Sequence, residues 1–83
     1  MPSNFAQGSI ASRIEEIFHQ QVGDDTELSP ETDLLNDLGM DSLELVELGL
    51  KMERVFETKL PIADLRSCVT IEEVIQLVQR KTA

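Results

Sequence analysis

The sequence predicts an all-α fold, a small bundle of three main helices and one short helix. Three stretches repeat apolar residues at the spacing of an amphipathic helix, and none shows the alternation of a β-strand. A chain of 83 residues suffices for one small domain. Hydrophobic residues make up 41% of the chain but aromatic residues only 4%, so we expect an aliphatic core. We expect a flexible tail at residues 1–9 and a single domain at residues 10–81.

The first helix is predicted from its single apolar face. That face comprises Ile10, Ile14, Ile17 and Phe18. Ser9 is suited to cap the start of this helix, and Gly23 to end it. The acidic connection that follows, residues 24–37, is long for a small domain. Its apolar residues, Leu28, Leu34 and Leu35, are expected to hold it against the helices.

The second helix is predicted from Ser42 to about Phe56. Asp41 is a good N-cap, and Glu44 lies where a capping-box acid reaches back to the cap residue. Gly39 can take a positive φ, which allows a sharp turn before the cap. Ser42 therefore lies in the first helical turn, where free N–H groups and the helix dipole favour an anion such as a phosphate ester.

This second helix has two apolar faces. At about 100° per residue, the side expected to pack inward comprises Leu45, Leu48, Met52, Val55 and Phe56. Leu43, Val46 and Leu50 form the opposite side, which we call the docking stripe, with Glu47 and Glu53 beside it. Only one face can pack inward in a monomer. The docking stripe is therefore predicted to bind a partner.

The last third of the chain predicts a short helix at residues 61–66 and a final longer helix. Thr70 and Glu73 have the spacing of a capping box at the start of the final helix. The predicted core face of that helix comprises Ile71, Val74, Ile75 and Val78. Cys68, just before it, is interpreted as a small core residue.

The net charge of −9 is concentrated in one part of the chain. Residues 23–57 contain eleven acidic and two basic residues, which accounts for all of it, whereas the remainder is neutral. Such a surface suits solubility, and its position around Ser42 favours steering of basic partners. Nucleic acids and stable membrane insertion are not expected.

The remaining composition narrows the class of protein further. One cysteine excludes an internal disulfide, and no Cys/His cluster indicates a zinc site. No apolar run is long enough to span a membrane, and the N-terminus lacks a signal-peptide pattern. We expect a cytoplasmic protein without a bound metal.

Residues 38–43 read Leu-Gly-Met-Asp-Ser-Leu and resemble the Leu-Gly-x-Asp-Ser-Leu motif of acyl carrier proteins. The similarity covers residues 10–81 and includes Leu60 and Pro61 after the second helix. In that family the motif serine carries 4′-phosphopantetheine, whose terminal thiol holds an acyl group as a thioester. The resemblance implies that Ser42 is the attachment residue, with Asp41 beside it in the cofactor-binding motif. Such a carrier is not an enzyme and has no catalytic residue.

The resemblance also implies a set of partners. A phosphopantetheinyl transferase would modify Ser42, and acyltransferases, synthases or ligases with basic patches would dock on the second helix. The docking residues implied in this way are Asp37, Leu43, Glu44, Val46, Glu47, Leu50 and Glu53. The carrier would act as a monomer in fatty-acid, polyketide or related lipid biosynthesis.

Departures from the fatty-acid carriers indicate a specialised carrier of another pathway. Arg54 stands where those carriers typically have an acid, and residues 61–66 contain one acid where those carriers have several. Gly49 costs roughly 0.5–1 kcal/mol in a helix interior relative to alanine. It is interpreted as a tolerated glycine, as one that allows a close helix contact, or as one that leaves space for a bulky acyl group.

Two other functions compete with the carrier. Residues 39–43 superficially resemble the Gly-Asp-Ser-Leu signature of esterases, but Met40 interrupts it and no strand precedes it. The only histidine, His19, lies upstream on another helix and lacks an evident orienting partner. The other alternative is an unmodified acidic helical adaptor, which stays open because the docking stripe serves both functions.

Overall fold

The computed structural model describes residues 9–82. Within these residues the helices are α1 (Ser9–Val22), α2 (Ser42–Phe56), α3 (Ile62–Arg66) and α4 (Ile71–Thr82). The extended backbone in the same range pairs only at an isolated antiparallel bridge between Asp33 and Thr70. The predicted all-α fold of three longer helices and one short one is confirmed.

Residues 1–8 of the predicted tail lie outside the described residues, so the division into tail and domain stays a prediction. Ser9, predicted to cap α1, is its first helical residue.

Helix α1 buries the apolar face predicted for it. Ile14, Ile17 and Phe18 are buried there, and Ile10 is partly buried. The helix packs against α2 and α4. It ends where Gly23 takes φ 108° and donates its N–H to the carbonyl of His19, with 2.7 Å between N and O. A positive φ favours glycine, which explains why the chain leaves α1 at this residue.

The connection between α1 and α2 is held to the core by two of its three predicted leucines. Leu28 and Leu34 are buried, and the N–H of Leu34 donates to the carbonyl of Val69 at 2.9 Å. Leu35 is 67% exposed, so the prediction that it holds the connection inward is wrong. The N–H of Leu35 donates to the Asp33 carboxylate at 2.9 Å. This hydrogen bond belongs to a turn in which the Leu35 side chain faces solvent.

Helix α2 turns one apolar face inward, largely as predicted. Leu48 and Met52 are fully buried, and Leu45 and Phe56 pack against the core as partly buried residues. Val55 is exposed, so its assignment to the inward face is wrong. It lies about 60° around the helix from Met52, at the edge of the face, where the neighbouring helices no longer cover it.

Helix α3 meets α2 at a contact that we call the α2–α3 seam, formed by Gly49, Glu53, Leu60 and Leu65. A Cβ atom added to Gly49 would lie 2.7 Å from Cδ1 of Leu65, whose side chain is fully buried. The carboxylate of Glu53 accepts the N–H of Leu60 at 2.7 Å. Gly49 therefore allows a close helix contact, because Leu65 Cδ1 lies next to the position that a Cβ atom would take.

Helix α4 completes the core and begins with the predicted capping box. The N–H of Glu73 donates to the Thr70 hydroxyl at 3.3 Å, and the N–H of Thr70 donates to the Glu73 carboxylate at 3.1 Å. Its buried residues are Ile71, Val74, Ile75, Leu77 and Val78, which include all four predicted ones. Near its end, Lys81 Nζ lies 3.3 Å from Asp64 Oδ2, an ion pair that links α4 to α3.

Candidate functional site

The chain approaches α2 through a turn that buries one residue and exposes the next two. Gly39 takes φ 62°, a left-handed conformation that glycine adopts without strain. The N–H of Met40 then donates to the carbonyl of Leu34 at 3.0 Å, and the Met40 side chain is buried. Asp41 and Ser42 follow at the surface. The turn therefore fixes the start of α2 against the core and leaves Ser42 accessible.

The predicted capping box at the start of α2 is confirmed. Asp41 has the extended backbone of an N-cap, with φ −94°. Its carboxylate accepts the N–H of Glu44 at 2.9 Å, and the Glu44 carboxylate accepts the N–H of Asp41 at 3.4 Å. A cap of this kind stabilises a helix by about 1 kcal/mol. Both acids therefore have a structural role, whatever else they contact.

Ser42 is the first residue of α2, so its hydroxyl lies at the positive end of the helix dipole. The first N–H groups of a helix have no partner within the helix. The N–H of Glu44 is taken by the Asp41 carboxylate and that of Leu45 by the Asp41 carbonyl. This leaves the N–H groups of Ser42 and Leu43 for an anion on the Ser42 oxygen.

A cleft of about 440 Å³ opens beside Ser42. Its walls come from the turn before α2, from Leu45 of α2, and from the segment between α3 and α4. The lining residues are Asp33, Leu34, Leu35, Asn36, Met40, Asp41, Ser42, Leu45, Arg66, Cys68 and Val69. Most of the lining is apolar, so the cleft suits an apolar group joined to Ser42 through a flexible linker.

The surroundings shift the pKa of two titratable groups in this cleft. The N–H of Asn36 donates to Asp33 at 2.7 Å, and this hydrogen bond lowers the pKa of the Asp33 carboxyl. Burial, and then the negative charge of Glu73, raises the pKa of the Cys68 thiol. The Cys68 thiol donates to the carbonyl of Asp64 at 3.6 Å. Cys68 is thus a neutral wall residue, part-buried as its interpretation as a small core residue requires.

Within residues 9–82, no hydrogen bond joins the Ser42 hydroxyl to a base that could activate it. A serine nucleophile needs a base within hydrogen-bond reach of its hydroxyl. His19, the only histidine of the chain, belongs to α1, and its Nδ1 lies 3.2 Å from the carbonyl of Gly23. Its Nε2 lies 3.9 Å from Glu15 of the same helix. These contacts hold the ring at the end of α1, which counts against the esterase alternative.

The docking stripe is exposed along α2. Leu43, Val46 and Leu50 are 67%, 40% and 52% exposed. The helical spacing placed these residues on the face opposite the core. Within the described residues this face is exposed, as predicted. Exposure alone does not establish docking, which stays a prediction. Three apolar side chains at successive turns nevertheless provide a continuous apolar surface that starts one residue after Ser42.

The acids predicted for docking differ in how far their carboxylates are engaged. Asp37 accepts the N–H of Asp33 at 2.8 Å, and Glu47 accepts the side-chain amide of Gln21 at 3.2 Å, and both are exposed. Glu53 is partly buried and holds the Leu60 N–H in the α2–α3 seam. Asp37 and Glu47 can therefore face a partner more readily than Glu53 can.

Sequence reasoning missed the wall of the cleft formed by residues 66–69. Arg66, Cys68 and Val69 are separated from Ser42 by more than twenty residues, and no spacing in the sequence connects them with the motif. Their placement follows from the bond between Leu34 and Val69, a tertiary contact.

The described part of the chain offers neither a metal site nor a membrane-spanning helix. No group of three or more His, Cys, Asp or Glu side chains within residues 9–82 could hold a metal ion. Over the same residues, no helix is both long and apolar enough to cross a membrane.

Comparisons with known proteins agree on one family. The family model described as "Phosphopantetheine attachment site" matches residues 12–78. An acyl carrier protein of Thermotoga maritima is 33% identical over 73 residues, which cover 87% of this chain and 90% of that protein. The match spans the capped start of α2, the cleft and all four described helices in part or whole. The chain therefore belongs to the acyl carrier protein family.

Proposed function

We propose that Ser42 carries 4′-phosphopantetheine and that the chain is a non-catalytic carrier of acyl groups. The observation that carries this proposal is the exposed Ser42 hydroxyl at the capped start of α2, with a mostly apolar cleft beside it. The thiol of the bound group would hold acyl intermediates as thioesters. The proposed pathways are fatty-acid, polyketide or related biosynthesis in the cytoplasm.

The residues around Ser42 fit a phosphodiester on its oxygen. The N–H groups of Ser42 and Leu43 are available to phosphate oxygens, and the helix dipole favours the negative charge. Asp41 has its carboxylate turned to the N–H of Glu44, so its charge is partly satisfied within the cap. The cleft next to the hydroxyl offers an apolar surface to whatever the linker bears.

The partners that we propose recognise the outside of α2. A phosphopantetheinyl transferase would attach the group, and acyltransferases, synthases or ligases would then act on the acyl group. The docking stripe supplies apolar contact, and Asp37, Glu44 and Glu47 supply negative charge for basic side chains of these enzymes. Arg54 and the single acid of residues 61–66 support a specialised carrier.

Attachment at Ser42 is tested by intact mass. The chain is incubated with coenzyme A and a phosphopantetheinyl transferase of broad specificity, and wild type is expected to gain one phosphopantetheine. Ser42→Ala is expected to gain none, and Ser67→Ala, which removes another exposed serine, is expected to gain one as wild type does.

The same measurement separates the carrier from the adaptor. An adaptor binds its partner without modification, so wild type would keep its original mass. A gain of mass that persists in Ser42→Ala would place the group elsewhere and overturn the proposed attachment residue.

A further inference from the structure

A basic residue, Arg54, extends the docking stripe of α2 toward the end of the helix. Leu43, Val46, Leu50 and Arg54 follow one another at spacings of three and four residues, so they share one face of the helix. Glu47 lies on the same face between Val46 and Leu50. At 1.5 Å per residue, Arg54 lies about 16 Å along the axis from Leu43 and about 10 Å beyond Glu47.

The positive charge of Arg54 is unpaired in the part of the chain that the structure describes. Lys51, the other basic residue of α2, donates to the side-chain oxygen of Gln21 at 3.1 Å. The amide nitrogen of Gln21 donates in turn to Glu47, which ties Lys51 into a bridge between α1 and α2. Arg54 is exposed, and within residues 9–82 its guanidinium has neither an ion pair nor a hydrogen bond.

Leu50 and Arg54 separate two grooves on the surface of α2. One groove, of about 350 Å³, is also lined by Glu53, Glu57, Thr58 and Lys59. The other, of about 310 Å³, is also lined by Gln21, Glu47 and Lys51. The grooves leave room for side chains on both sides of the stripe. The first groove is lined by two cations, Arg54 and Lys59, and two acids, of which Glu53 accepts the N–H of Leu60.

The face is thus negative at Glu47 and positive at Arg54, and Asp41 and Glu44 add negative charge at the start of the helix. We propose that the partner protein that docks on it carries an acidic side chain opposite Arg54, in addition to basic side chains opposite the acids. Docking in the reverse direction would bring like charges together at both ends. Arg54 therefore fixes the direction in which a partner lies along α2, and with it the side from which the partner reaches Ser42. This inference rests on the proposed function only for the partner being an enzyme that acts at Ser42.

Two blocked helical peptides test the inference with the full unmodified chain. Both carry the same leucines to match the docking stripe and two lysines at one end. The first carries a glutamate at the position that would face Arg54, and the second carries a lysine there. Titration into nitrogen-15-labelled protein is expected to show that the glutamate peptide binds about threefold more tightly at low salt, the size of an exposed ion pair. Its shifts should include the amides near Leu50 and Arg54.

The direction of binding is measured separately. A nitroxide label next to the glutamate of the first peptide is expected to broaden amide signals around Arg54 and not those around Asp41. In Arg54→Glu the order of the two affinities should reverse, and in Arg54→Gln the two affinities should become equal. Arg13→Glu makes the same charge change on an exposed position of α1 and should keep the wild-type order.

Equal affinities of the two peptides for wild type would overturn the inference, as would broadening centred on Asp41 or the absence of saturable shifts with both peptides. Because the experiment uses the unmodified chain, its outcome does not depend on attachment at Ser42. A chain that gains no mass in the transferase assay but orients the peptides as described would lose the carrier function and keep the directional docking face.

Discussion

The start of α2 is held by hydrogen bonds between neighbours in the chain, whereas its second half is held by residues that follow the helix, Leu60 and Leu65. At the start, Asp41 and Glu44 cap each other across three residues. In the α2–α3 seam, Gly49 accepts the close approach of Leu65, sixteen residues away, and Glu53 holds the N–H of Leu60. The site of the proposed attachment is thus fixed by contacts within a short stretch of the chain. The docking stripe extends from this helix start toward the α2–α3 seam, which is held by tertiary contacts.

The difference separates two kinds of sensitivity. A change near Asp41 should affect the helix end and little else, because its partners are adjacent in the chain. A change in the α2–α3 seam should affect both helices, because Leu65 of α3 is fully buried and lies against Gly49 of α2. The predictions that follow test this contrast, beginning with the largest effect.

The α2–α3 seam is tested by a double-mutant cycle between Gly49 and Leu65. Leu65→Ala removes a fully buried side chain and is expected to destabilise the domain by about 3 kcal/mol. Gly49→Ala gains about 1 kcal/mol of helix propensity, but its Cβ would meet Leu65 Cδ1 at 2.7 Å. Overpacking costs 1–3 kcal/mol, so we expect a net loss of about 1 kcal/mol. In the Leu65→Ala background the same change should stabilise by roughly 0.5–1 kcal/mol, because the overlap is gone. Urea unfolding of the four proteins measures these differences.

Leu43→Ala is the matched control for the leucine truncation. Leu43 is an exposed leucine of α2, so truncation of its side chain should change the free energy of unfolding by less than about 0.5 kcal/mol. If Gly49→Ala stabilised the wild-type chain as much as the Leu65→Ala chain, the close contact would carry no energy. The contrast between the two halves of α2 would then fail.

The same contrast explains what the sequence could predict. The capping boxes of α2 and α4, the turn at Gly39 and the exposed docking stripe depend on residues that are each at most four positions from the next, and all were predicted. Leu35 and Val55 were placed inward wrongly, because neither the turn at Asp33 nor the edge of the α1–α2 packing has a periodic signal. The role of Gly49 stayed open for the same reason, since Leu65 lies on another helix.

The second prediction concerns the locally held start of α2. Asp41→Ala removes the acceptor of the Glu44 N–H and is expected to destabilise the domain by about 1 kcal/mol. Asp41→Asn should cost little, because asparagine caps helices about as well as aspartate does. Thermal or urea unfolding of the two variants measures the cap alone.

Combination with Gly49→Ala shows whether the two halves of α2 are independent. Asp41 and Gly49 are about 12 Å apart along the helix, and their effects should add within about 0.5 kcal/mol. A larger departure from additivity would show that the start of α2 is coupled to the α2–α3 seam, and the site around Ser42 would then not be fixed locally.

The smallest expected effect is a pH dependence at the turn that leads into α2. Hydrogen bonds from Asn36 and Leu35 favour the charged Asp33 carboxylate, so its pKa is lower in the folded chain than in the unfolded one. A lowered pKa gives stability that is present in full above the ordinary carboxyl pKa of about 3.9. This stability is lost as the pH falls through the lowered folded pKa, because the unfolded chain then binds the proton more readily.

Asp33→Asn keeps an oxygen acceptor at this position but removes the charge. The difference in unfolding free energy between wild type and Asp33→Asn should therefore be constant near neutral pH and shrink as the pH falls below about 4. Asp25→Asn, on the same connection and exposed, controls for the loss of one negative charge. A difference that stayed constant down to the acid transition would show that the Asn36 and Leu35 bonds do not distinguish the charged carboxyl from the neutral one. The turn before Asp41 would then be held by Leu34 and Met40 in the core. The capping box would be the first local contact that stabilises α2.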